Sequence, residues 1–272
     1  MVYTPSAQSL AQNLRAATGE PNEARARSLE PPRPGARAPE SAPARLRECE
    51  VAYLRRDARI AWIGARVPAH PVFDAAFSAF ARGTLITTTR GPVAVEDLDP
   101  GMSVVTQERG PSPILWIGRM TWPGGRDAGA GAPTARLTRV QSGAFGLERP
   151  MTDLVTGPGA RTLQRGEGRS GSGGADLVLR PVHDMIDGTH VIALSPPGDI
   201  ELFHIALRRH ATITAGGLDF ETYHPGPGFE TQLTYQQLAQ FTGLFPHVMR
   251  PADFGALAHP RAALGDMRRA IT

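Results

Sequence analysis

Apolar and polar residues alternate over short distances along most of this chain, and turn-forming residues interrupt the pattern every few positions. CEVAYLR (49–55) and ARIAWIGARV (58–67) are rich in Val, Ile, Trp and Tyr and predict two strands. VFDAAFSAFA (72–81) has its apolar residues on one helical side, which predicts a short helix over about 71–79 with Pro71 in its first turn. LITTT, PVAVEDL, MSVVTQ and ILWIGRM then read as short strands, separated by the turn signals RGP, DPG and ERGPSP. Further strands are expected at 136–140, at 153–156 and in LVLRPV, HVIALS, IELFHIAL and ATITAGG. In TQLTYQQLAQFTGLF, Leu238, Phe241 and Phe245 recur at spacings of three and four, so a helix follows the strands. Pro260 is expected to open a last helix over 261–271.

This pattern divides the chain into four stretches. Residues 1–47 read as a disordered linker: the run GEPNEARARSLEPPRPGARAPESAPARLR offers almost nothing to bury, and only 9–17, with Leu10 and Leu14, suggest a short helix. Residues 48–70 form a strand-rich lead-in, 71–225 a mainly β domain, and 226–272 a short helical C-terminal extension. Within the β domain, 121–134 is expected to be a loose Gly-rich loop and GEGRSGSGG (166–174) a flexible insertion.

Composition narrows the chemistry. All 29 basic residues are arginine, so Schiff-base, P-loop and kinase-type lysine chemistry is excluded. Cys49 is the single cysteine, which excludes internal disulfides and cysteine-rich zinc sites, and its position in a strand pattern predicts a buried thiol. Asn13 and Asn22 are the only asparagines, so no chemistry beyond residue 22 can use that side chain. The net charge of +3 is small, and the arginine pairs Arg55–Arg56, Arg208–Arg209 and Arg268–Arg269 are spread along the sequence, which argues against nucleic acid as a partner. No run approaches the about 20 apolar residues of a membrane span, and the N-terminus lacks the pattern of a signal peptide. Cytoplasmic location is the default expectation, with secretion by a leaderless route as the alternative.

Candidate site residues are few. His204 and His210 lie six apart on an expected strand, and Asp184 is of suitable chemical type, but compact metal-ligand spacings are missing. Neither a metal nor a cofactor is therefore expected; His210 and His224 are expected to hold turns by hydrogen bonds. Glu96 and Asp97 read as a turn, Asp219 and Glu221 as surface or turn-capping residues, and Trp62, Trp116 and Trp122 as core.

The string Ala79-Phe80-Ala81-Arg82-Gly83-Thr84-Leu85-Ile86, followed by GPVAVEDLDPGMSVVT, resembles the opening of Hint domains, the module shared by Hedgehog autoprocessing regions and inteins. The nearest likeness is to bacterial Hint-domain proteins of the alphaproteobacterial type. RLTRVQSGAFGLERPMTDLVTGPGARTL resembles the family's central block, and PVHDMIDGTHVIAL and LFHIALRRHATITAGGLDFETYHPG its closing blocks, so the likeness spans roughly 71–260. It implies a horseshoe of short strands. It also implies an acyl shift, in which a Cys or Ser attacks the preceding carbonyl and a histidine protonates the departing amide. On that motif the nucleophile position is Ala79, and the histidine position of the S-P-x-H block is Ala160 within Gly157-Pro158-Gly159-Ala160. Gly83, Thr84, His210 and His224 are retained motif residues, whereas Asn is missing from the release position. Ser78 and Thr156 neighbour the two positions but are expected to point the other way, as alternation along a strand requires. The resemblance thus implies a Hint protein with a degenerate autoprocessing centre and no catalytic residues, serving as a binding or structural module for an unidentified protein partner. The alternative is residual self-cleavage with Ser78 as a non-standard nucleophile.

Overall fold

The computed structural model describes residues 46–125, 136–166 and 177–262, and these contain fifteen strands and two α-helices. β1 (Leu46–Leu54) and β2 (Ile60–Pro68) form an antiparallel hairpin that opens with Leu46 opposite Pro68. α1 (Pro71–Phe77) follows, started by His70, whose Nδ1 accepts from the Val72 amide at 3.2 Å, and by a proline in its first turn. Then come β3 (Phe80–Ala81), β4 (Leu85–Thr88), β5 (Gly91–Ala94), β6 (Ser103–Thr106), β7 (Gly110–Trp122), β8 (Leu137–Val140), β9 (Leu154–Thr156) and β10 (Arg161–Arg165). β11 (Leu177–Pro181), β12 (Val191–Leu194), β13 (Ile200–Leu207), β14 (Thr212–Ala215) and β15 (Leu218–Glu221) complete the strands, and α2 (Tyr235–Gly243) closes the order. A capping box starts α2: Thr234 Oγ1 accepts from the Gln237 amide at 3.2 Å, and Gln237 Oε1 accepts from the Thr234 amide at 2.9 Å.

The strands build one open antiparallel horseshoe in the order β11-β10-β15-β14-β4-β6-β7-β13-β3-β9-β8-β12. β7 is its spine. The first part of β7 pairs with β6, from Thr106 opposite Gly110 to Ser103 opposite Pro113. Its later part lies between β13 and β1, with Met120 opposite Leu202 on one side and Cys49 on the other. The lead-in hairpin is thereby part of the same sheet as the family-like strands.

Apolar alternation delivers two cores. The first gathers Phe80, Ile86, Ile114, Ile205, Ile213 and Phe220. The second gathers Phe73 and Phe77 of α1, Trp116 and Met120 of β7, and Phe241 and Phe245 in and just after α2. Trp116 sits at its centre: Nε1 donates to the Leu244 carbonyl at 2.7 Å, and the ring stacks on Phe245 with centroids 4.7 Å apart.

Some elements differ from the sequence expectation, each for a local reason. Gly110-Pro111-Ser112-Pro113 is strand, not turn. The Ile114 amide donates back to Met102, so the even positions of β7 bond toward β6; the odd-numbered prolines would aim their missing N–H at the open side, where β13 does not reach. Val95–Asp97 is a 3-10 turn that ends the run begun by β5. Trp62 is 62% exposed instead of core, because it opposes Ala52, whose neighbours Val51 and Cys49 take the buried positions of β1. Arg261 does not start a helix: Leu179 donates to the Pro260 carbonyl at 2.8 Å, and Ala262 donates to the Leu179 carbonyl at 3.0 Å. The linker expected over 1–47 reaches into β1: Leu46 and Arg47 are strand, and Arg47 pairs with Asp74. The rest of the linker, its helix over 9–17, most of the Gly-rich loop and of the insertion, and the rest of the last helix lie outside the described residues. No helix among the described residues is long and apolar enough to cross a membrane.

Candidate functional site

Ala79 and Ala160 come from segments far apart in sequence that the horseshoe joins. α1 ends at Phe77, and Ser78, its C-cap, has a backbone (φ −129°, ψ 53°) that turns the chain out of the helix and into β3. From there the main chain is held at every peptide group. The Ala79 amide donates to the Phe203 carbonyl at 2.9 Å, and the Ala79 carbonyl accepts from Gly157 at 3.1 Å. The Ser78 carbonyl accepts from Gly159 at 2.9 Å, and the same amide reaches Ser78 Oγ at 3.2 Å across 81 positions of sequence. Ala160 closes the turn with a 3.1 Å bond to the Gly157 carbonyl. Both alanines are buried.

The turn presses on α1 so closely that its glycines are required. A Cβ on Gly157 would overlap the Ser78 carbonyl oxygen and stand 2.9 Å from Leu202 Cδ1, and one on Gly159 would overlap the Ala75 carbonyl oxygen. The peptide between Ser78 and Ala79 is thus fixed at both ends, carbonyl on Gly159 and N–H on Phe203, while Ala79 and Ala160 bring only methyl groups to it. Ser78 departs from expectation. It terminates a helix instead of standing in a strand, so alternation does not turn it outward; it is buried, and its hydroxyl faces the Gly159 amide. Thr156 does lie in a strand, β9, where Oγ1 donates to the Thr138 carbonyl at 3.4 Å.

Gly83 and Thr84 hold the next corner. Gly83 has φ +85°, a conformation that favours glycine, and its amide donates to Glu96 Oε2 at 2.8 Å. Thr84 is buried, with Oγ1 donating to the Ala81 carbonyl at 2.7 Å. These contacts tie β3 to the turn after β5, as the reading of Glu96 as a turn residue implies.

The expected surface role of Glu221 is overturned. β15 carries it inward, where it is 2% exposed and held by two guanidinium groups and the His210 ring. His210 Nε2 donates to Glu221 Oε1 at 2.9 Å, Arg261 Nε and Nη2 donate to the same oxygen at 3.0 and 2.8 Å, and Arg161 Nη1 reaches Oε2 at 3.5 Å. Burial alone would raise this carboxyl; the His210 hydrogen bond and the two guanidinium charges outweigh it and hold the group at about 2. Both nitrogens of His210 are occupied, since Nδ1 accepts from the Ala258 amide at 2.8 Å. His224 is likewise saturated: Nδ1 accepts from Gly226 at 2.9 Å, and Nε2 donates to the Gly255 carbonyl at 3.1 Å. Burial pushes His224 down to about 4.

His204 stands between this cluster and the seam at Ala79. Its Nδ1 donates to the Ala75 carbonyl at 3.0 Å, its ring packs edge-on against Tyr223 at 5.1 Å, and burial pushes it down to about 4. His204 Nε2 and the Tyr223 hydroxyl are buried without well-formed hydrogen bonds, and burial also raises the Tyr223 phenol. His183 and His190 pair instead with Asp184 and Asp187, at 3.4 Å each, so the imagined set of His204, His210 and Asp184 does not assemble. No group of His, Cys, Asp or Glu suited to a metal ion occurs among the described residues. Cys49 is in β1, its thiol donating to the Ala65 carbonyl at 3.5 Å and pushed up to about 12 by burial.

The fold and the blocks that meet at this seam are those of Hint domains. The profile of the Hint domain family matches residues 78–227, and the chain belongs to that family. Among solved structures, the chain is similar to a bacterial intein-like domain from Clostridium thermocellum, at 14% identity with a TM-score of 0.34, over 54% of this chain and 99% of that one. It is also similar to a splice-inactive variant of the AceL NrdHF class 3 split intein, at 10% identity with a TM-score of 0.31, over 54% of this chain and 98% of that one. No curated protein matches the chain.

Proposed function

We propose that this is a Hint-domain protein whose autoprocessing centre has lost its chemistry and whose fold serves as a binding or structural module. The observation that carries this reading is the Ala79–Ala160 seam. The family's nucleophile and histidine positions hold methyl groups, and the glycines at 157 and 159 let the turn close onto the Ser78 and Ala75 carbonyls. A serine at 157 has no room, and neither His210 nor His224 has a free ring nitrogen with which to protonate a departing amide. The lead-in hairpin also shares a core with the family-like strands through Val51 and Val67, so a cut at residue 78 would leave the two pieces packed together.

One observation favours the second reading, residual self-cleavage. Ser78 is a buried hydroxyl at the seam, held by the Gly159 amide one residue past the Phe77 carbonyl. A nucleophile at 79 would cut between Ser78 and Ala79. Attack by Ser78 Oγ on the Phe77 carbonyl carbon would instead form an ester and release the Ser78 amine.

Intact-mass spectrometry of the full chain, held for days with hydroxylamine or dithiothreitol, separates the readings. A single uncut mass is expected. Fragments ending at Phe77 or at Ser78 would overturn the non-cleaving reading and name the nucleophile.

A further inference from the structure

The arginine pairs that are dispersed in sequence converge in space. A cleft of 1320 Å³ is walled by the β1–β2 turn, the β6–β7 turn, the bend after β13 and the segment after α2, and it presents Arg55, Arg56, Arg109, Arg208 and Arg209. Arg109 is set in place by the backbone, its Nη1 and Nη2 donating to the Arg209 and His210 carbonyls at 3.4 and 2.8 Å. Arg56, Arg208 and Arg209 are exposed and have no ion pair among the described residues. The two carboxylates that the described residues place on the wall do not balance them. Asp57 touches Arg55 only at 3.6 Å while capping its own turn at the Arg59 amide, and Asp253 is bound to Arg250 and the amides of Met249 and Arg250. Guanidinium groups gathered without counter-charge repel one another, and an anionic ligand relieves that repulsion.

We propose that this cleft binds an acidic segment of a partner polypeptide. Arginine forks suit carboxylates, and Leu54, Leu115, Pro246 and the exposed, adaptable Met249 offer aliphatic contact between them. The volume exceeds what a single phosphate fills. A nucleic-acid strand fits less well: among the described residues, Tyr53 and His247 are the only aromatic rings on the wall, and Asp57 and Asp253 would face a backbone charged at every nucleotide. The cleft is separate from the Ala79–Ala160 seam, so a failure of this proposal reads out as lost binding and a failure of the non-cleaving reading as fragments.

Fluorescence anisotropy of the full chain with a labelled octapeptide of alternating Glu and Leu tests it. The expected result is binding that weakens with added salt, is lost when Gln replaces Glu in the peptide, and is weakened at least about tenfold by Arg208→Glu with Arg209→Glu. Arg66→Glu, at an exposed site on β2 already paired with Glu48, should leave the affinity unchanged. Met249→Glu places a carboxylate on the wall without removing an arginine, should also weaken binding, and decides the matter if the double variant does not fold. No binding, equal binding of the Gln peptide, equal loss in Arg66→Glu, or tighter binding of a labelled thymidine octanucleotide would each overturn the proposal.

Discussion

Ala160 and Arg161 are consecutive, yet they belong to regions built from opposite materials. The seam at Ala79 and Ala160 is made of methyl groups, glycines and backbone hydrogen bonds. One residue later, Arg161 enters a buried cluster in which two guanidinium groups and the His210 ring surround the Glu221 carboxylate. In the first region nothing ionises and everything is decided by volume. In the second, space is less limiting than charge balance, because each partner keeps another from being stranded in a low-dielectric interior. The first carries methyl groups at 79 and 160, while the second keeps a satisfied polar network that locks β15, the bend at His210 and the segment at Arg261 into one unit. The polar residues that remain here support architecture.

The largest expected effect comes from upsetting that charge balance. Glu221→Ala strands Arg161, Arg261 and the His210 ring together, and a loss of about 3–5 kcal/mol in urea denaturation is expected. Glu48→Ala, which removes an exposed pair with Arg66, should cost less than about 1 kcal/mol. Should Glu221→Ala prevent folding, Glu221→Gln keeps the shape and should still cost more than Glu48→Ala. Equal losses at the two sites would erase the distinction between the regions.

Acid should weaken the cluster and spare the seam. The folded protein holds His204 at about 4 against an ordinary 6.5, so between these values the unfolded chain binds more protons and stability falls as pH falls. That window is worth about 3 kcal/mol, and His224 adds to it with the same sign. Glu221, held at about 2 against 4.5, contributes stability that is present above 4.5 and is lost as pH falls toward 2. Urea midpoints at pH 7.5 and 4.5 should differ clearly in the native chain and less in His204→Gln. A flat profile would mean that the buried histidines take up protons freely.

How much of this the sequence disclosed follows the same division. Short-range alternation revealed most strands and the α2 stripe of Leu238, Phe241 and Phe245, because one buried face imposes a period on its own residues. It missed β10, whose RTLQR carries little alternation of its own and is strand through its pairing with β11. It misread Trp62, since composition says that tryptophan is apolar but only the partner strand says which face is inward. Glu221 was hidden for a related reason: a carboxylate in a strand pattern defaults to the surface, and its partners come from 60, 40 and 11 positions away. The arginine cleft was invisible as well, because dispersal in sequence says nothing about convergence in space. The FETYHPG string was the one signal that placed Glu221 beside recognisable family residues.

The smallest expected effect tests the seam by volume alone. Gly157→Ala adds one methyl group against the Ser78 carbonyl and Leu202, and Gly159→Ala adds one against the Ala75 carbonyl. The obstacle is backbone already fixed by hydrogen bonds, so the turn must lift off α1, and each change should cost about 1–3 kcal/mol. Gly64→Ala supplies the control: it lies in β2 with nothing within 4 Å of the added Cβ, so it should be neutral or gain a few tenths. Neither seam variant changes a charge, so the loss should be the same at pH 7.5 and 4.5. If Gly157→Ala and Gly159→Ala are as silent as Gly64→Ala, the turn can open without cost. The missing nucleophile and acid would then be the only barrier to chemistry, and Ala79→Cys with Ala160→His should suffice to restore cutting after Ser78. If they cost what is expected, that double change should leave the chain intact, because the imidazole would enter a turn with no room to receive it.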